Sequence, residues 1–230
     1  MQYKYITCEL PSNGVFYNIK EVHIRPKTIF DIKALLGDPV FTLRSEINTL
    51  QNCIDPNDNI DVYDLVNQDV VYLLYKLRSL SDDNLTIIYD NKEYPIKLSE
   101  LKVKNLDKWD SDIILPESNM KIKLNYTPIK NIFNLNEQKQ EFDKKYPDYA
   151  GDSLNTVAIL NSISCIDNSI TNKDMIRNTL EQLSYKDSIY LINKIEESRN
   201  LEFGIIEEIT VEDGKKVPIQ ITEEFFRPSL

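Results

Sequence analysis

The sequence predicts an α+β protein made of internally duplicated helix-plus-β-hairpin units, with a further β-hairpin at the N-terminus. Two observations lead to this prediction. The segments 86–98 (TIIYDNKEYPIKL) and 209–221 (ITVEDGKKVPIQI) each place tight-turn residues, Asp-Asn-Lys or Asp-Gly-Lys, ahead of a run that contains Pro-Ile. The helical patterns that precede these two segments also recur in the same order along the chain.

The N-terminal segment predicts two strands around a turn. Pro-Ser-Asn-Gly at 11–14 suits a turn, because Asn and Gly tolerate positive φ angles. Val22 and Ile24 alternate with polar neighbours, as in a half-buried strand. A short helix is expected next, with Thr28 as its N-cap and Gly37 at its end.

Two further helices and a sheet complete the first half. A helix over 41–54 is followed by a longer one over 61–80, whose apolar residues have the i, i+3, i+4, i+7 spacing of a buried stripe. These residues are Val70, Leu73, Leu74 and Leu77. The hairpin 86–98 follows, and the alternating pattern of 120–128 predicts another strand of the same sheet.

The second half predicts helices and the second hairpin. The helices are expected over 153–166, 172–183 and 185–200. The polar segment 131–152 is expected to connect the halves and to include one or two helical turns. The predicted division is therefore a first unit at 1–130, a connector at 131–152 and a second unit at 153–230.

Three matches in the same order favour an internal duplication. DVVYLLYKL from Asp69 aligns with DSIYLINKI from Asp187, NCID at Asn52 aligns with SCID at Ser164, and the two hairpins align with each other. The alternative is a chance likeness, since amphipathic helices and hairpins resemble one another in any protein. A true duplication predicts that the two segments share one backbone path.

Composition narrows the class of function. The net charge of −10 and the pI of about 4.8 disfavour non-specific binding to nucleic acid, because an acidic surface repels phosphates. No apolar run approaches the roughly 18 to 20 residues that a membrane span requires. The opening MQYKYITCEL lacks the apolar core of a signal peptide. Cys8, Cys53 and Cys165 are expected to be reduced and buried.

The residues predict neither catalysis nor a bound metal or cofactor. His23 is the single histidine and is expected at a surface or strand edge, and the sequence contains no phosphate-binding or nucleophile-elbow motif. The hairpins have the outline of a zinc knuckle, but the turns 89–92 and 212–215 contain no Cys or His. Trp109, the single tryptophan, is expected either to anchor the core or to contact a partner.

Three blocks carry a resemblance: ELPSNGVFY…VHIRPKT at 9–28, CID…DLVNQDVVYLLYKLRSLS at 53–81, and FGI…VPIQITEEFFRP at 203–228. They resemble the T4-type bacteriophage base-plate protein family, the hub-assembly proteins of contractile tails. The resemblance covers nearly the whole chain. It implies a non-enzymatic structural or assembly role, a location in the virion base plate after assembly in the host cytoplasm, and other tail proteins as partners. Members of the family often carry Cys pairs in the hairpins, so it also implies zinc-ribbon-like units, here metal-free.

Protein–protein surfaces are expected at the N-terminal turn 10–17, at the C-terminal segment 223–230 and at the one tryptophan. The predicted partner-binding residues are Pro11, Asn13, Phe16, Tyr17, Trp109, Phe225, Phe226 and Arg227. Aromatic and Arg side chains are favoured at binding hot spots, although both terminal Phe rings alternatively dock on the chain's own second hairpin. Two rival functions stay open: a transient assembly chaperone absent from the virion, and a degenerate zinc-ribbon module that binds nucleic acid.

Overall fold

The computed structural model describes residues 3–36, 43–210 and 214–219, which form seven α-helices and eleven short strands. The helices are α1 (Ile29–Leu36), α2 (Leu43–Cys53), α3 (Asn67–Ser79), α4 (Ile129–Lys145), α5 (Ser153–Asn161), α6 (Lys173–Leu180) and α7 (Tyr185–Arg199). The strands are β1 (Ile6–Glu9), β2 (Glu21–Ile24), β3 (Asn84–Tyr89), β4 (Lys92–Lys97), β5 (Val103–Lys104), β6 (Asp112–Ile114), β7 (Lys121–Leu124), β8 (Ile163–Ile166), β9 (Gly204–Ile205), β10 (Glu208–Thr210) and β11 (Lys216–Pro218). The predicted α+β class is confirmed.

The chain forms two compact units whose bounds differ from the predicted ones. A discontinuous unit comprises Met1–Asp107 and Glu202–Leu230, and a continuous unit comprises Lys108–Leu201. The segment 131–152, expected to be a connector, contains most of α4. The helix forms because its few apolar residues are used in packing: Phe142 is buried in the core of the continuous unit, and Leu135 packs against that core.

The N-terminal hairpin of the discontinuous unit forms as predicted. β1 and β2 pair antiparallel, with Cys8 opposite Val22. Ile24, at the end of β2, also forms a β-bridge with Ile54 just after α2. The Asp55 N–H donates a hydrogen bond to the His23 carbonyl at 2.8 Å. The hairpin is therefore tied to the end of α2, and Val22 and Ile24 are buried.

The start of α1 shows the predicted cap. The Asp31 N–H donates to Thr28 Oγ1, and the Thr28 N–H donates back to Asp31 Oδ2, which is the reciprocal pattern of a capping box. Arg25 pairs with Asp31 at 2.8 Å in a buried position. Burial alone raises the pKa of Asp31, but the hydrogen bonds from Arg25 and Thr28 lower that pKa to about 2. The predicted helix end at Gly37 lies outside the described residues.

α3 and the hairpin after it follow the sequence pattern. The four stripe residues named for this helix are all buried, as their spacing predicted. β3 and β4 form the first predicted hairpin, and the turn residues Asp90 and Asn91 both have positive φ, 52° and 59°. Two residues with positive φ are the signature of a type I′ turn, which Asn and Asp tolerate better than other side chains. β5 pairs with β9 and β10 pairs with β11 in the same unit.

The continuous unit contains a three-stranded antiparallel sheet in the order β6-β7-β8. The expectation that 120–128 adds a strand to the first hairpin was wrong, because β7 pairs with β6 and β8. The expectation of one helix over 153–166 was wrong in its second half. There α5 ends at Asn161 and the chain continues as β8, in which Ile163 and Ile166 are fully buried in the core of this unit. β-branched side chains suit such a buried strand.

The cysteines and the histidine lie as expected. Cys8, Cys53 and Cys165 are free thiols and buried, and burial raises the pKa of both Cys8 and Cys53 to about 11. His23 on β2 is partly exposed, and its Nδ1 lies 2.9 Å from Asp58 Oδ1. The hydrogen bond to Asp58 raises the pKa of His23. In the described part of the chain, no helix has the length and apolar content to cross a membrane.

Candidate interaction surfaces

The loop between β1 and β2 contains four of the predicted partner-binding residues and is hydrogen-bonded to one buried carboxyl group. Asp69, the third residue of α3, is fully buried and accepts a hydrogen bond from the Ser12 N–H at 2.9 Å. The Tyr17 hydroxyl donates to the other oxygen of the same carboxylate. Burial raises the pKa of Asp69 to about 6, although the hydrogen bonds from Ser12 act in the opposite direction. α3 thus fixes the shape of the loop.

The same loop is half packed and half open. Pro11 is buried, and its carbonyl accepts a hydrogen bond from the Leu106 N–H at 2.8 Å. Phe16 is half-buried, with its ring centroid 5.9 Å from that of Phe203. Asn13 is exposed, with a φ of 50°. The structure therefore places Pro11, Asn13, Phe16 and Tyr17 in one loop. Asn13 is the most exposed of these four residues. Their part in partner binding stays a prediction.

The continuous unit contains a second loop of the same kind, which sequence analysis missed. Asp187, the third residue of α7, is buried and accepts hydrogen bonds from the N–H groups of Glu117 and Ser118, at 2.9 and 3.0 Å. These donors lie in the loop between β6 and β7. The signal was present in the sequence, because Leu-Pro-Ser-Asn at 10–13 and Leu-Pro-Glu-Ser-Asn at 115–119 differ by one inserted residue.

The two carboxylates differ in their electrostatics. Burial raises the pKa of Asp187, but the hydrogen bonds from Glu117 and Ser118 outweigh burial and the pKa is lowered. Asp69 accepts one backbone N–H bond, whereas Asp187 accepts two. Backbone N–H donors favour the ionised form of a carboxyl group. The loop therefore lowers the pKa of Asp187 below its ordinary value, whereas burial keeps the pKa of Asp69 above its ordinary value.

Trp109 is a half-buried anchor of the continuous unit. Its Nε1–H donates to Ser198 Oγ on α7 at 2.9 Å, and its ring packs against the core of that unit. This placement corresponds to the core-anchor interpretation, and it leaves part of the indole surface at the outside of the unit. Contact between Trp109 and a partner stays a prediction.

A groove of about 1170 Å³ lies between the hairpins β3–β4 and β10–β11 of the discontinuous unit. Its apolar lining comes from Tyr94, Pro95, Ile96, Leu101, Ile206 and Ile209. Its charged lining includes the ion pairs Lys216–Glu208 at 3.0 Å and Lys97–Glu100 at 3.7 Å. A lining of mixed apolar and charged side chains is compatible with a protein–protein contact.

Phe225, Phe226 and Arg227 lie outside the described residues, as do residues 212 and 213 of the predicted turn 212–215. Across 3–36, 43–210 and 214–219, no group of three or more His, Cys, Asp and Glu side chains is placed to hold a metal ion. The first hairpin turn carries Asp90 and Asn91 in the positions where a zinc knuckle needs sulfur ligands.

The comparisons with known proteins agree with the resemblance seen in the sequence. The family model described as T4 bacteriophage base plate protein matches residues 2–227. A search of curated proteins and a search of solved structures gave no match. Because the family match spans nearly the whole chain, the chain belongs to the T4 bacteriophage base plate protein family.

Proposed function

We propose that the protein is a non-enzymatic component of the hub region of a contractile-tail base plate, where it acts through protein–protein interfaces. The observation that carries this proposal is the family match over residues 2–227. The two loops fixed by buried carboxylates support it, because they are built by hydrogen bonds to the backbone and leave neighbouring side chains at the surface. The proposed location is the tail of the virion, after assembly in the host cytoplasm.

The proposal includes an internal duplication of the chain. In each unit a Leu-Pro loop is held by an Asp that is the third residue of a helix, Asp69 in α3 and Asp187 in α7. In each unit a Cys-Ile-Asp segment also meets the strand that follows the loop. Asp55 N–H donates to the His23 carbonyl at 2.8 Å, and Asp167 N–H donates to the Lys121 carbonyl at 2.7 Å.

The order of these features supports the duplication further. From the N-terminus, each unit has its Leu-Pro loop, then the strand with a buried Ile, then the Cys-Ile-Asp segment, then the helix with the buried Asp. The Ile pairs are Ile24 with Ile54 in one unit and Ile122 with Ile166 in the other. A chance likeness of amphipathic helices would not reproduce these hydrogen bonds. On this proposal the protein carries two versions of one loop-on-helix module, with Asn13 and Asn119 at equivalent positions.

The interfaces are proposed at three places. The first is the open side of the loop that contains Asn13 and Phe16, the second is the exposed part of Trp109, and the third is the segment with Phe225, Phe226 and Arg227. Asn119 in the second loop has a φ of 57°, close to the 50° of Asn13, and is exposed in the same way. Partners are other tail proteins of the same particle.

The test is the protein content of assembled particles. In the phage that encodes the chain, the gene is disrupted and complemented from a plasmid, and both tails and mature virions are purified and analysed by mass spectrometry. We expect tail assembly to fail without the gene, and the protein to be present in mature virions after complementation. Loss of assembly with the protein absent from virions would support the transient chaperone instead. Normal assembly without the gene would overturn the proposal.

A further inference from the structure

Strand β3 has one edge that no other strand pairs with in the described residues. In an antiparallel pair, residues alternate between those whose N–H and C=O groups face the partner strand and those whose groups face away. The Leu98 N–H donates to the Asp83 carbonyl at 2.9 Å, so this residue pair faces inward. By the observed register, the N–H and C=O groups of Asn84, Thr86 and Ile88 therefore face away from β4.

Most of these outward groups are available for a further strand. The Asn84 N–H already donates to Asp82 Oδ1 at 3.0 Å. Within the described residues, no backbone hydrogen bond is made by the Asn84 carbonyl or by the N–H and C=O groups of Thr86 and Ile88. The Ile88 side chain is 72 % exposed, and Asn84 and Thr86 are exposed beside it. An edge of this kind is a template for pairing with another strand.

The opposite edge of the same hairpin is closed to such pairing. The outward positions of β4 are Glu93, Pro95 and Lys97, and Pro95 has no N–H to donate. Proline and charged side chains are the usual devices that keep an edge strand from adding another strand. The second hairpin also has a proline at an outward position. The Ile219 N–H donates to the Glu207 carbonyl, so the next pair along the strands, Glu208 and Pro218, faces outward.

The composition of β3 selects the occupant. β3 reads Asn-Leu-Thr-Ile-Ile-Tyr and has no charged residue, whereas β4 contains Lys92, Glu93 and Lys97. Like charges placed directly opposite each other destabilise strand pairs, so an uncharged strand is one that can lie against a copy of itself. We propose that β3 pairs antiparallel with β3 of a second copy of this chain, with Thr86 opposite Thr86.

This pairing closes on itself. The Thr86 N–H of each chain donates to the Thr86 carbonyl of the other chain. The Ile88 N–H of each chain likewise donates to the Asn84 carbonyl of the other chain. The product is a four-stranded sheet in the order β4-β3-β3-β4. Both of its outer edges carry Pro95, so the sheet stops at two chains, as an isologous two-fold interface requires. The engaged Asn84 N–H is not needed for any of these bonds.

The experiment uses charge reversal across the two-fold axis on the full chain. Thr86→Lys and Thr86→Glu are made separately and compared with wild type by analytical ultracentrifugation over a range of concentrations, in buffer of physiological ionic strength that screens the repulsion between two chains of net charge −10. The control pair is Thr171→Lys and Thr171→Glu, at an exposed loop position of the other unit. Circular dichroism checks that each variant folds.

We expect wild type and both Thr171 variants to dimerise. Each Thr86 variant alone should dimerise at least about tenfold more weakly, because identical charges then face each other. An equimolar mixture of Thr86→Lys and Thr86→Glu should restore dimers. Wild type that stays monomeric throughout overturns the proposal, as does a Thr86 variant that dimerises normally or a mixture that fails to restore dimers.

Hydrogen exchange gives an independent readout on unmodified protein. The amides of Thr86 and Ile88 should exchange more slowly as the concentration of the chain rises, whereas the amides of Glu93 and Lys97 on the other edge should not change. Protection at β4 but not β3 would overturn the proposed pairing. These readouts do not depend on tail assembly, so the dimer and the base-plate function fail or stand separately.

Discussion

Asp69 and Ser12 lie 57 residues apart in the chain and meet through a hydrogen bond of 2.9 Å from the Ser12 N–H to the Asp69 carboxyl group. Asp187 makes the corresponding contacts to Glu117 and Ser118 in the other unit. Each contact ties a surface loop to the beginning of a buried helix. One Asp side chain therefore links each loop to its helix, in addition to the backbone hydrogen bonds within the loop. Stability measurements on the two Asp residues test the contribution of this link.

The first prediction concerns Asp69→Asn and pH. The folded-state pKa of about 6 exceeds the ordinary value of 3.8, so the native state binds the proton more tightly than the unfolded state. The free energy of unfolding of wild type should therefore fall as pH rises between about pH 4 and pH 7, by about 2 kcal/mol from this group. Asn does not titrate, so the stability of Asp69→Asn relative to wild type should increase over that range. Urea denaturation at both pH values measures the difference, and an unchanged difference would contradict the raised pKa.

The second prediction concerns Asp187→Asn, for which the sign is opposite. The pKa of Asp187 is lowered, so its ionised form stabilises the folded state above the ordinary pKa and this stabilisation is lost as pH falls. Asp187→Asn should reduce the thermal midpoint at neutral pH and have a smaller effect near about pH 3. Calorimetry at the two pH values provides the measurement. Asp148→Asn, on an exposed turn of the same unit, provides a comparison outside the loop contact.

The third prediction concerns the buried ion pair between Lys27 and Glu46. Lys27 Nζ donates to Glu46 Oε2 at 2.9 Å, and both side chains are almost fully buried. Lys27→Met leaves Glu46 without its counter-charge and should lower the free energy of unfolding by about 3 kcal/mol. The double variant Lys27→Met with Glu46→Leu should recover much of that loss, because two apolar side chains need no partner. Urea unfolding of both variants measures these effects, and equal losses in the two would contradict the assignment.

The fourth prediction concerns the segment with Phe225, Phe226 and Arg227. Removing the chain after Glu224 should reduce incorporation into base plates more than it reduces the thermal midpoint, since these are the residue types favoured at binding hot spots. Complementation of a gene-disrupted phage measures assembly, and calorimetry measures folding. A large fall in the midpoint would instead make the segment part of the core. Normal folding with normal assembly would exclude it as an interface.

Sequence patterns found the elements whose evidence is local. The stripe through Val70 and Leu77 gave α3, and Thr28 gave the start of α1, because helical spacing and capping depend on nearby residues. α4 was missed because its buried face contains few apolar residues, so the segment resembles a polar linker. β7 was assigned to the wrong sheet, since alternation indicates a strand but does not identify its partners.

The candidate surfaces show the same limit. Turn chemistry placed Asn13 in a loop, but the roles of Asp69 and Asp187 depend on contacts across the fold. In the sequence, both residues are only matching letters near the start of two similar helices. Their hydrogen bonds to the Leu-Pro loops give that likeness a physical basis, since the same helix position performs the same task twice.

The pairing of β5 with β9 has a consequence for synthesis on the ribosome. Val103 lies opposite Ile205, so the discontinuous unit cannot close until the whole continuous unit has been translated. At about 5–20 residues per second, that interval lasts roughly 5–20 seconds. The early hairpins and helices wait through this interval with exposed apolar surface, whereas residues 108–201 can fold as soon as their own last helix is available. A nascent chain stalled before Ile205 should therefore be more sensitive to proteases in its first hundred or so residues than in the segment that follows them.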